Sequence, residues 1–226
     1  MLQDNGASGE RAVHTLGDDI LGIRLANSAQ CQQLAEHLRQ AGSWLDAVAG
    51  IDSVAVRFDA ASMSLDAARS RLGEQLLSVG STPTSEPVLV DIPVCYGNAF
   101  GPDFDAVRES LGVSADELVA LHTSCEHRVA MLGFTPGFAY VGGLPDKLNV
   151  PRRAEPRQRV AAGSVGIADG QTGLYAMAGP GGWSLIGRTP LQLFDARADA
   201  PFLLRAGMRI RFRQIDAETF HAMERS

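Results

Sequence analysis

The chain has 226 residues, of which 45% are hydrophobic and 20% are charged, and this composition is typical of a folded globular protein. Its net charge of -6 argues against nucleic acid or an anionic membrane as a partner, and no apolar run is long enough to span a bilayer. The chain has three cysteines, and it does not begin with a charged segment followed by an apolar one. We therefore predict a cytoplasmic protein without a disulfide framework.

The first third of the chain predicts a small α+β domain over residues 11–85, after a loose polar tail at 1–10. Apolar residues alternate in the predicted strands and recur every three to four positions in the predicted helices. Asn27 or Ser28 begins the first helix, and Gly42 ends it. In chain order we predict a strand at 12–16, a strand at 20–25, a helix at 28–41, a strand at 53–58 and a helix at 64–79.

A second domain is predicted over residues 86–226, after a linker at 81–87 that is rich in Ser, Thr and Pro. A strand at 88–94 comes first. Two short helices follow at 102–111 and 114–122, and the second begins with a Ser-x-x-Glu capping box.

The composition changes in the part from 133 to 190, where glycine and proline recur every few residues. Twelve of the 24 glycines of the chain lie between 122 and 190, which is typical of short strands and turns in a compact β-barrel. Alternation at 208–213 predicts one more strand, with an apolar face and a basic face. We expect an outer strand with its arginines in solvent.

Several standard sites are excluded by what the chain lacks. Its one lysine, Lys147, is not in a phosphate-binding loop, and no Gly-x-Gly-x-x-Gly follows a predicted strand. Ser164 lies in a segment that only loosely matches a nucleophile elbow, and we interpret this segment as a β-turn. The spacing of His122, Cys125 and His127 is irregular, so no metal site is predicted. The simplest interpretation of His122 is a positive charge at the end of its helix.

The segment from 122 to 190 is basic although the chain is acidic. It holds seven basic and four acidic residues, a net charge of +3, which leaves -9 for the rest of the chain. Four arginines lie within eight residues of one another: Arg152, Arg153, Arg157 and Arg159. Arginine forks bind carboxylate or phosphate. Two interpretations stay open: these arginines bind a small anion, or they bond loop carbonyls on a solvated surface.

Glycine-rich turns at 135–137, 142–143 and 179–182 allow backbone N–H groups to approach an anion. Trp183 and Tyr140 are able to stack on a flat ligand, but Trp183 fits a hydrophobic core equally well.

Five blocks, in order along the chain, resemble one protein family. They are MLGFTPGFAYVGGL at 131–144, PRRAEPRQRVAAGSVGI at 151–167, QTGLY at 171–175, PGGWSLIGRTPLQLF at 180–194 and PFLLRAGMRIRF at 201–212. They are similar to the allophanate hydrolase subunit 1 family, which includes the B subunit of 5-oxoprolinase and a bacterial inhibitor of a sporulation kinase.

The resemblance implies an α+β fold in which a small N-terminal domain precedes a cyclophilin-like β-barrel. It also implies a homologous second subunit that completes a site, a third subunit in bacterial 5-oxoprolinase, and a small anionic amide as substrate. ATP is the implied cofactor, held by the complex and not necessarily by this chain. The first hypothesis is therefore ATP-dependent opening of 5-oxo-L-proline to glutamate. Two others stay open: a regulatory inhibitor of a histidine kinase, and a carboxyltransferase-like module that acts on urea or a similar amide.

The matching region also implies site residues. His122 is the candidate general acid or base, because the pKa of an imidazole can lie near neutrality. The candidates for binding substrate or an anion are Phe134, Gly137, Tyr140, Arg152, Arg153, Arg157, Gly163, Gln171 and Arg188.

Overall fold

The computed structural model describes residues 13–77 and 89–225. The chain forms two compact units, residues 1–84 and 85–226. The predicted tail at 1–10 and the predicted linker at 81–87 lie outside the described residues. Within the described ranges, no helix has the length and apolarity that a membrane crossing requires.

The first unit is a four-stranded antiparallel sheet with two helices. Its elements are β1 (Val13–Thr15), β2 (Ile20–Arg24), α1 (Ser28–Gln40), β3 (Asp46–Ala49), β4 (Ser53–Arg57) and α2 (Leu65–Leu77). The strands lie in the order β1-β2-β4-β3. Both helices pack on one face of the sheet, where Leu34, Leu72 and Val56 belong to one buried cluster. Burial of each such side chain contributes about 1.5–3 kcal/mol.

One strand of this sheet was not predicted. β3 has the sequence Asp-Ala-Val-Ala, and Asp and Ala are weak strand formers. Its pairing with β4, which places Val48 opposite Ala55, sets its conformation. The predicted order of strand, strand, helix, strand, helix is therefore wrong by one strand.

The second unit is built on a closed seven-stranded barrel with the strand order β10-β7-β6-β13-β5-β12-β9. A two-stranded ribbon of β8 and β11 accompanies it. The elements are β5 (Leu89–Tyr96), α3 (Phe104–Leu111), α4 (Ala115–Thr123), β6 (His127–Leu132), β7 (Ala139–Gly142), a 3-10 turn (Asp146–Leu148), β8 (Arg157–Val160), β9 (Ser164–Ala168), β10 (Gln171–Leu174), β11 (Gly179–Gly181), β12 (Ser184–Arg188), β13 (Arg209–Gln214) and α5 (Ala217–Glu224).

The helix boundaries follow the predicted signals. The Ser114 hydroxyl accepts the N–H of Glu117 at 3.1 Å and begins α4, while Gly112 ends α3 with φ +65°. The Glu117 carboxylate receives a backbone hydrogen bond from Ser114, as the capping box predicts, and also pairs with Lys147. α5 was not predicted; Asp216 caps it by accepting the N–H of Thr219.

The last strand of the barrel is central and not outer. β13 lies between β5, to which it is parallel, and β6, to which it is antiparallel. Its apolar residues Ile210 and Phe212 are buried in the barrel core. Arg211 and Arg213 bind the carboxylate of Asp91 at 2.9 and 2.7 Å. These two arginines share one carboxylate of the neighbouring strand, so they are paired and keep a net charge of +1 with it.

Candidate functional site

Four connections meet at one end of the barrel, which we call the glycine-rich end. They are residues 133–138, 161–163, 175–178 and 189–194. The strand register brings them together, because Leu174 lies opposite both Ala139 and Val165, and Arg188 lies opposite Ser164.

Two predicted site glycines shape this end. Gly137 has φ +76°, and an added Cβ would lie 2.8 Å from the Cβ of Ala176. Gly163 has φ +80°, and an added Cβ would lie 2.4 Å from the carbonyl oxygen of Thr189. Any side chain would thus meet both a left-handed backbone and a clash. The two glycines let neighbouring backbone segments approach closely at this end.

Phe134 stands at the tip of the first connection. Its φ is +71°, and the N–H of Thr135 donates to the carbonyl of Gly133 at 2.9 Å across it. This is a γ-turn with positive φ, which is rare and strained. The side chain is 62% exposed. Strained backbone persists where the surrounding structure enforces it, and such positions concentrate at functional sites.

Arg188 ends β12 at the same end of the barrel. Its Nε donates to the carbonyl of Ala162 at 2.8 Å, and its guanidinium lies 5.6 Å from the ring centre of Phe220. The carboxylate of Glu224 is 3.6 Å away. One third of the side chain is exposed, so the guanidinium keeps access to a ligand while its orientation is fixed.

Tyr140 and Trp183 lie in an aromatic layer on the outside of the barrel. The Trp183 ring is 5.9 Å from both Phe138 and Tyr140, and Trp183 is only 5% exposed. An added Cβ on Gly173 would lie 2.8 Å from the Trp183 ring, so this glycine makes room for it. Trp183 is therefore a packing residue, and of the two interpretations the core one is correct.

The opposite end of the barrel carries the arginine segment. Arg153 and Arg157 both bind the carboxylate of Asp103, at 2.7–2.8 Å. Asp103 also accepts the backbone N–H of Leu185 at 2.7 Å. Its side chain is 8% exposed. A charge buried to this degree needs such partners.

Arg152 and Gln171 also lie at this opposite end. Arg152 donates to the carboxylate of Asp169 at 2.9 Å and lies 5.8 Å from the Trp183 ring centre. Asp169 and Gly170 form the tight turn between β9 and β10, with φ +50° and +74°, and Gln171 follows it opposite Ala168. Gln171 and Gly163 are therefore at different ends of the barrel.

His122 is fully buried and not at a solvated helix end. Its Nδ1 lies 2.7 Å from the Tyr96 hydroxyl and its Nε2 lies 3.1 Å from the Thr172 hydroxyl. Burial, and secondarily the neighbouring His127, hold the pKa of His122 well below its usual range. Our interpretation of His122 as a positive helix cap is therefore wrong, because the imidazole is neutral. The same shift means that its pKa is not near neutrality.

His127 is the second buried imidazole. Its Nε2 lies 3.0 Å from the carbonyl of His122 and 3.4 Å from the thiol of Cys125. Burial lowers the pKa of His127. Among the residues that the structure describes, no group of three or more His, Cys, Asp and Glu side chains is placed to hold a metal ion.

The structure thus sorts the predicted site residues into separate places. Phe134, Gly137, Gly163 and Arg188 meet at the glycine-rich end. Arg152, Arg153, Arg157 and Gln171 lie at the opposite end, Tyr140 lies in the aromatic layer, and His122 is inside.

The sequence analysis missed three residues that hold predicted site residues in place. Asp103 binds Arg153 and Arg157, and Tyr96 and Thr172 contact His122. Asp103 follows Pro102 at a helix start, where an aspartate predicts an N-cap. Its real partners are 50 to 82 residues away. No local pattern indicates them.

The chain matches the family model described as carboxyltransferase domain, subdomain C and D, over residues 8–204. The chain belongs to this family. Among curated proteins, the B subunit of 5-oxoprolinase from Escherichia coli O157:H7 is 44% identical over 193 residues, which are 84% of this chain and 87% of that protein. The protein of the same name from Bacillus subtilis (strain 168) is 48% identical over 134 residues, 59% of this chain and 56% of that protein. The family recognised from the sequence blocks is confirmed.

Solved structures show the same fold. The crystal structure of TTHA0988 matches with a TM-score of 0.75 and 32% identity, and covers 88% of this chain. This chain spans 40% of that longer chain. The Kluyveromyces lactis urea carboxylase matches 93% of this chain with a TM-score of 0.73, but at 17% identity and over 22% of its own length, so it is evidence for the fold alone. The predicted α+β fold with a cyclophilin-like barrel is confirmed.

Proposed function

We propose that this chain is the B subunit of an ATP-dependent 5-oxoprolinase, a complex that converts 5-oxo-L-proline, ATP and water to L-glutamate, ADP and phosphate. The observation that carries the proposal is the 44% identity to the B subunit of the E. coli 5-oxoprolinase over 87% of that protein's length. The chain therefore matches nearly the whole relative and not only a shared domain.

The chemistry explains why such a reaction needs ATP and several subunits. The ring amide resists attack by water, and phosphoryl transfer from ATP to its oxygen makes the ring carbon electrophilic enough for water to add. The C–N bond of the ring then breaks and frees the amine, and a second water molecule releases phosphate from the resulting acyl phosphate to leave glutamate. The protein has to position the ring and stabilise the developing negative charge. In this proposal the complex binds ATP, and this chain supplies an arginine of fixed orientation.

The glycine-rich end is the best place for that role. Gly137 and Gly163 let neighbouring segments of the chain pack closely there. Phe134 offers an exposed ring, and Arg188 offers a partly exposed guanidinium with a fixed orientation. A guanidinium held in one orientation favours a carboxylate or an oxyanion.

The same end is suited to contact another subunit. Six large apolar side chains of the barrel unit are exposed in the described residues, and five of them lie at this end. We call these five the apolar rim: Leu89, Phe134, Met177, Phe202 and Leu203. Exposed apolar groups clustered in this way are typical of protein interfaces. The companion subunit is the occupant that we propose, because the curated relative is named as one subunit and TTHA0988 carries further sequence in the same chain.

The test is reconstitution. The chain is purified with its companion subunits, and ADP and glutamate are measured with 5-oxo-L-proline. L-proline serves as the control compound, because it keeps the ring and the carboxylate but lacks the amide. We expect 5-oxo-L-proline to stimulate equal ADP and glutamate formation, only when this chain is present.

Two arginine variants then test the site. Arg188→Ala should reduce turnover about tenfold or more, whereas Arg71→Ala, an exposed arginine on α2, should leave it unchanged. Unchanged turnover in Arg188→Ala would remove Arg188 from the site. If a properly assembled complex shows no stimulation, the proposal is wrong, and urea-type amides and the regulatory role are to be tested next.

A further inference from the structure

The arginine segment at the opposite end of the barrel centres on one carboxylate, that of Asp103. It accepts four hydrogen bonds, two from Arg157, one from Arg153 and one from the backbone of Leu185, all at 2.7–2.8 Å. Two guanidinium groups share one carboxylate, so the three side chains together keep a net charge of +1.

The position of Asp103 is set by strand β12. The N–H of Asp103 donates to the carbonyl of Leu185 at 2.9 Å. An added Cβ on Gly101 would lie 2.2 Å from the carbonyl oxygen of Ile186, so this backbone is pressed against the strand. Asp103 occupies the N-cap position of α3 but makes no capping hydrogen bond. Its carboxylate is directed to the arginines although an N-cap bond is typically worth about 1 kcal/mol.

Arg157 and Arg153 differ in how many of their nitrogens bind Asp103 and in how exposed their side chains are. Arg157 uses both terminal nitrogens on Asp103 in a bidentate pair, and its side chain is 25% exposed. Arg153 uses one terminal nitrogen, and its side chain is 37% exposed. The backbone N–H of Arg153 also donates to the carbonyl of Gly182 at 2.8 Å. Arg153 is therefore fixed at both backbone and head group, and its side chain is more exposed than that of Arg157.

A further positive charge lies nearby in sequence. Arg159 is exposed, and in the described part of the chain no hydrogen bond or ion pair involves its side chain. It lies two residues from Arg157 in β8. Arg159 adds to the field that an anion meets at this segment.

We infer that this segment is a second anion site, separate from the glycine-rich end, in which Arg153 contacts a carboxylate or phosphate group and Asp103 is the positioning residue. Arg157 neutralises Asp103 and does not bind the ligand. A guanidinium held in place before binding loses less conformational entropy when the anion arrives, and its planar fork fits two oxygen atoms at once. The site needs neither ATP hydrolysis nor a companion subunit.

The test uses the full chain and inorganic phosphate, with the ionic strength held constant by potassium chloride. Binding is measured by titration at a temperature well below unfolding, and the Nε–H signals of the arginines are followed by NMR. We expect millimolar phosphate to shift the Arg153 signal. Arg153→Lys should weaken binding about tenfold or more, because lysine keeps the charge but loses the fork, whereas Arg157→Lys should change it less than threefold.

Asp103→Asn tests the positioning role. It should weaken phosphate binding about tenfold, and Asp105→Asn, an exposed carboxylate on α3 that pairs with Arg108, should not. A residue that only stabilises the fold would lower the melting temperature and leave the dissociation constant unchanged. If Asp103→Asn does not fold, the two lysine variants decide the question.

The inference is overturned if wild-type protein does not bind phosphate, if both lysine variants behave alike, or if Asp103→Asn binds normally. None of these results depends on oxoprolinase activity.

Discussion

His122 and His127 show at the residue scale how burial changes the chemistry of a side chain. Both imidazoles lie inside the barrel unit, their ring centres are 5.5 Å apart, and burial lowers the pKa of each. Both ring nitrogens of His122 lie within hydrogen-bond distance of a hydroxyl group, those of Tyr96 and Thr172. For His122 to act as an acid or base, the substrate would have to reach these groups.

The lowered pKa values predict how stability depends on pH. The unfolded chain binds protons on these histidines near pH 6.5, before the folded protein does. Their contribution to stability is therefore complete above about pH 6.5 and is lost as the pH falls toward the lower folded values. The free energy of unfolding, measured by urea titration between pH 8 and 5, should fall by up to about 1.4 kcal/mol per pH unit for each histidine.

The variant His122→Asn provides the comparison for this titration. Because it lacks one titrating imidazole, this variant should lose stability less steeply than wild type below pH 6.5. It should also be less stable than wild type at pH 8, because the buried ring loses its contacts with Tyr96 and Thr172. A stability that stays constant from pH 6.5 to 5 in the wild-type protein would contradict two neutral buried histidines.

The turns of the barrel show at the element scale which connections are local and which are not. Asp169 and Gly170 both have positive φ and join the neighbouring strands β9 and β10, the geometry that an Asp-Gly pair favours by itself. Gly163 also has positive φ, but its backbone lies against the carbonyl of Thr189, which is 26 residues later. The close contact between Gly163 and the Thr189 carbonyl arises from tertiary packing and not from the local sequence.

This difference predicts unequal effects of the same substitution. Gly170→Ala, with no atom within 4 Å of the added Cβ, should cost only the left-handed backbone strain of about 1–2 kcal/mol. Gly163→Ala carries similar strain and also displaces the Thr189 carbonyl, so its cost should be larger by about 1–3 kcal/mol. Urea midpoints of the two variants measure the difference, and equal values would show that the backbone at Gly163 gives way freely.

At the scale of the whole molecule, the distribution of exposed apolar groups is uneven. The apolar rim gathers at the end of the barrel that also holds Gly137, Gly163 and Arg188. Phe134 is its most exposed member, and a rigid turn presents it. Large aromatic side chains fixed before binding are common among residues that dominate interface energies.

In the proposed complex, removal of this ring should therefore weaken binding of the companion subunit. Phe134→Ser should raise the dissociation constant for the companion subunit about tenfold or more, equivalent to at least about 1.4 kcal/mol, as measured by light scattering or titration. Met223→Ser is the matched control, because Met223 is exposed on α5 and lies outside the apolar rim. Equal losses in both variants, or none in Phe134→Ser, would place the subunit contact elsewhere.

The sequence by itself determined the features that depend on near neighbours along the chain. Alternation predicted β4 and β13, capping residues predicted the start of α1 and α4, and the dense glycines predicted short strands and turns. The family blocks predicted the barrel. These signals are readable because strand and helix periods and caps act over at most four residues.

The tertiary structure decided the pairings and the protonation states. It formed β3 from a segment with weak strand propensity, buried Trp183 beside Phe138, and placed Arg153 on Asp103, 50 residues away. It also made His122 neutral. These outcomes depend on which distant segments pack together, because burial and charge are sums over all neighbours in space and not over neighbours in sequence.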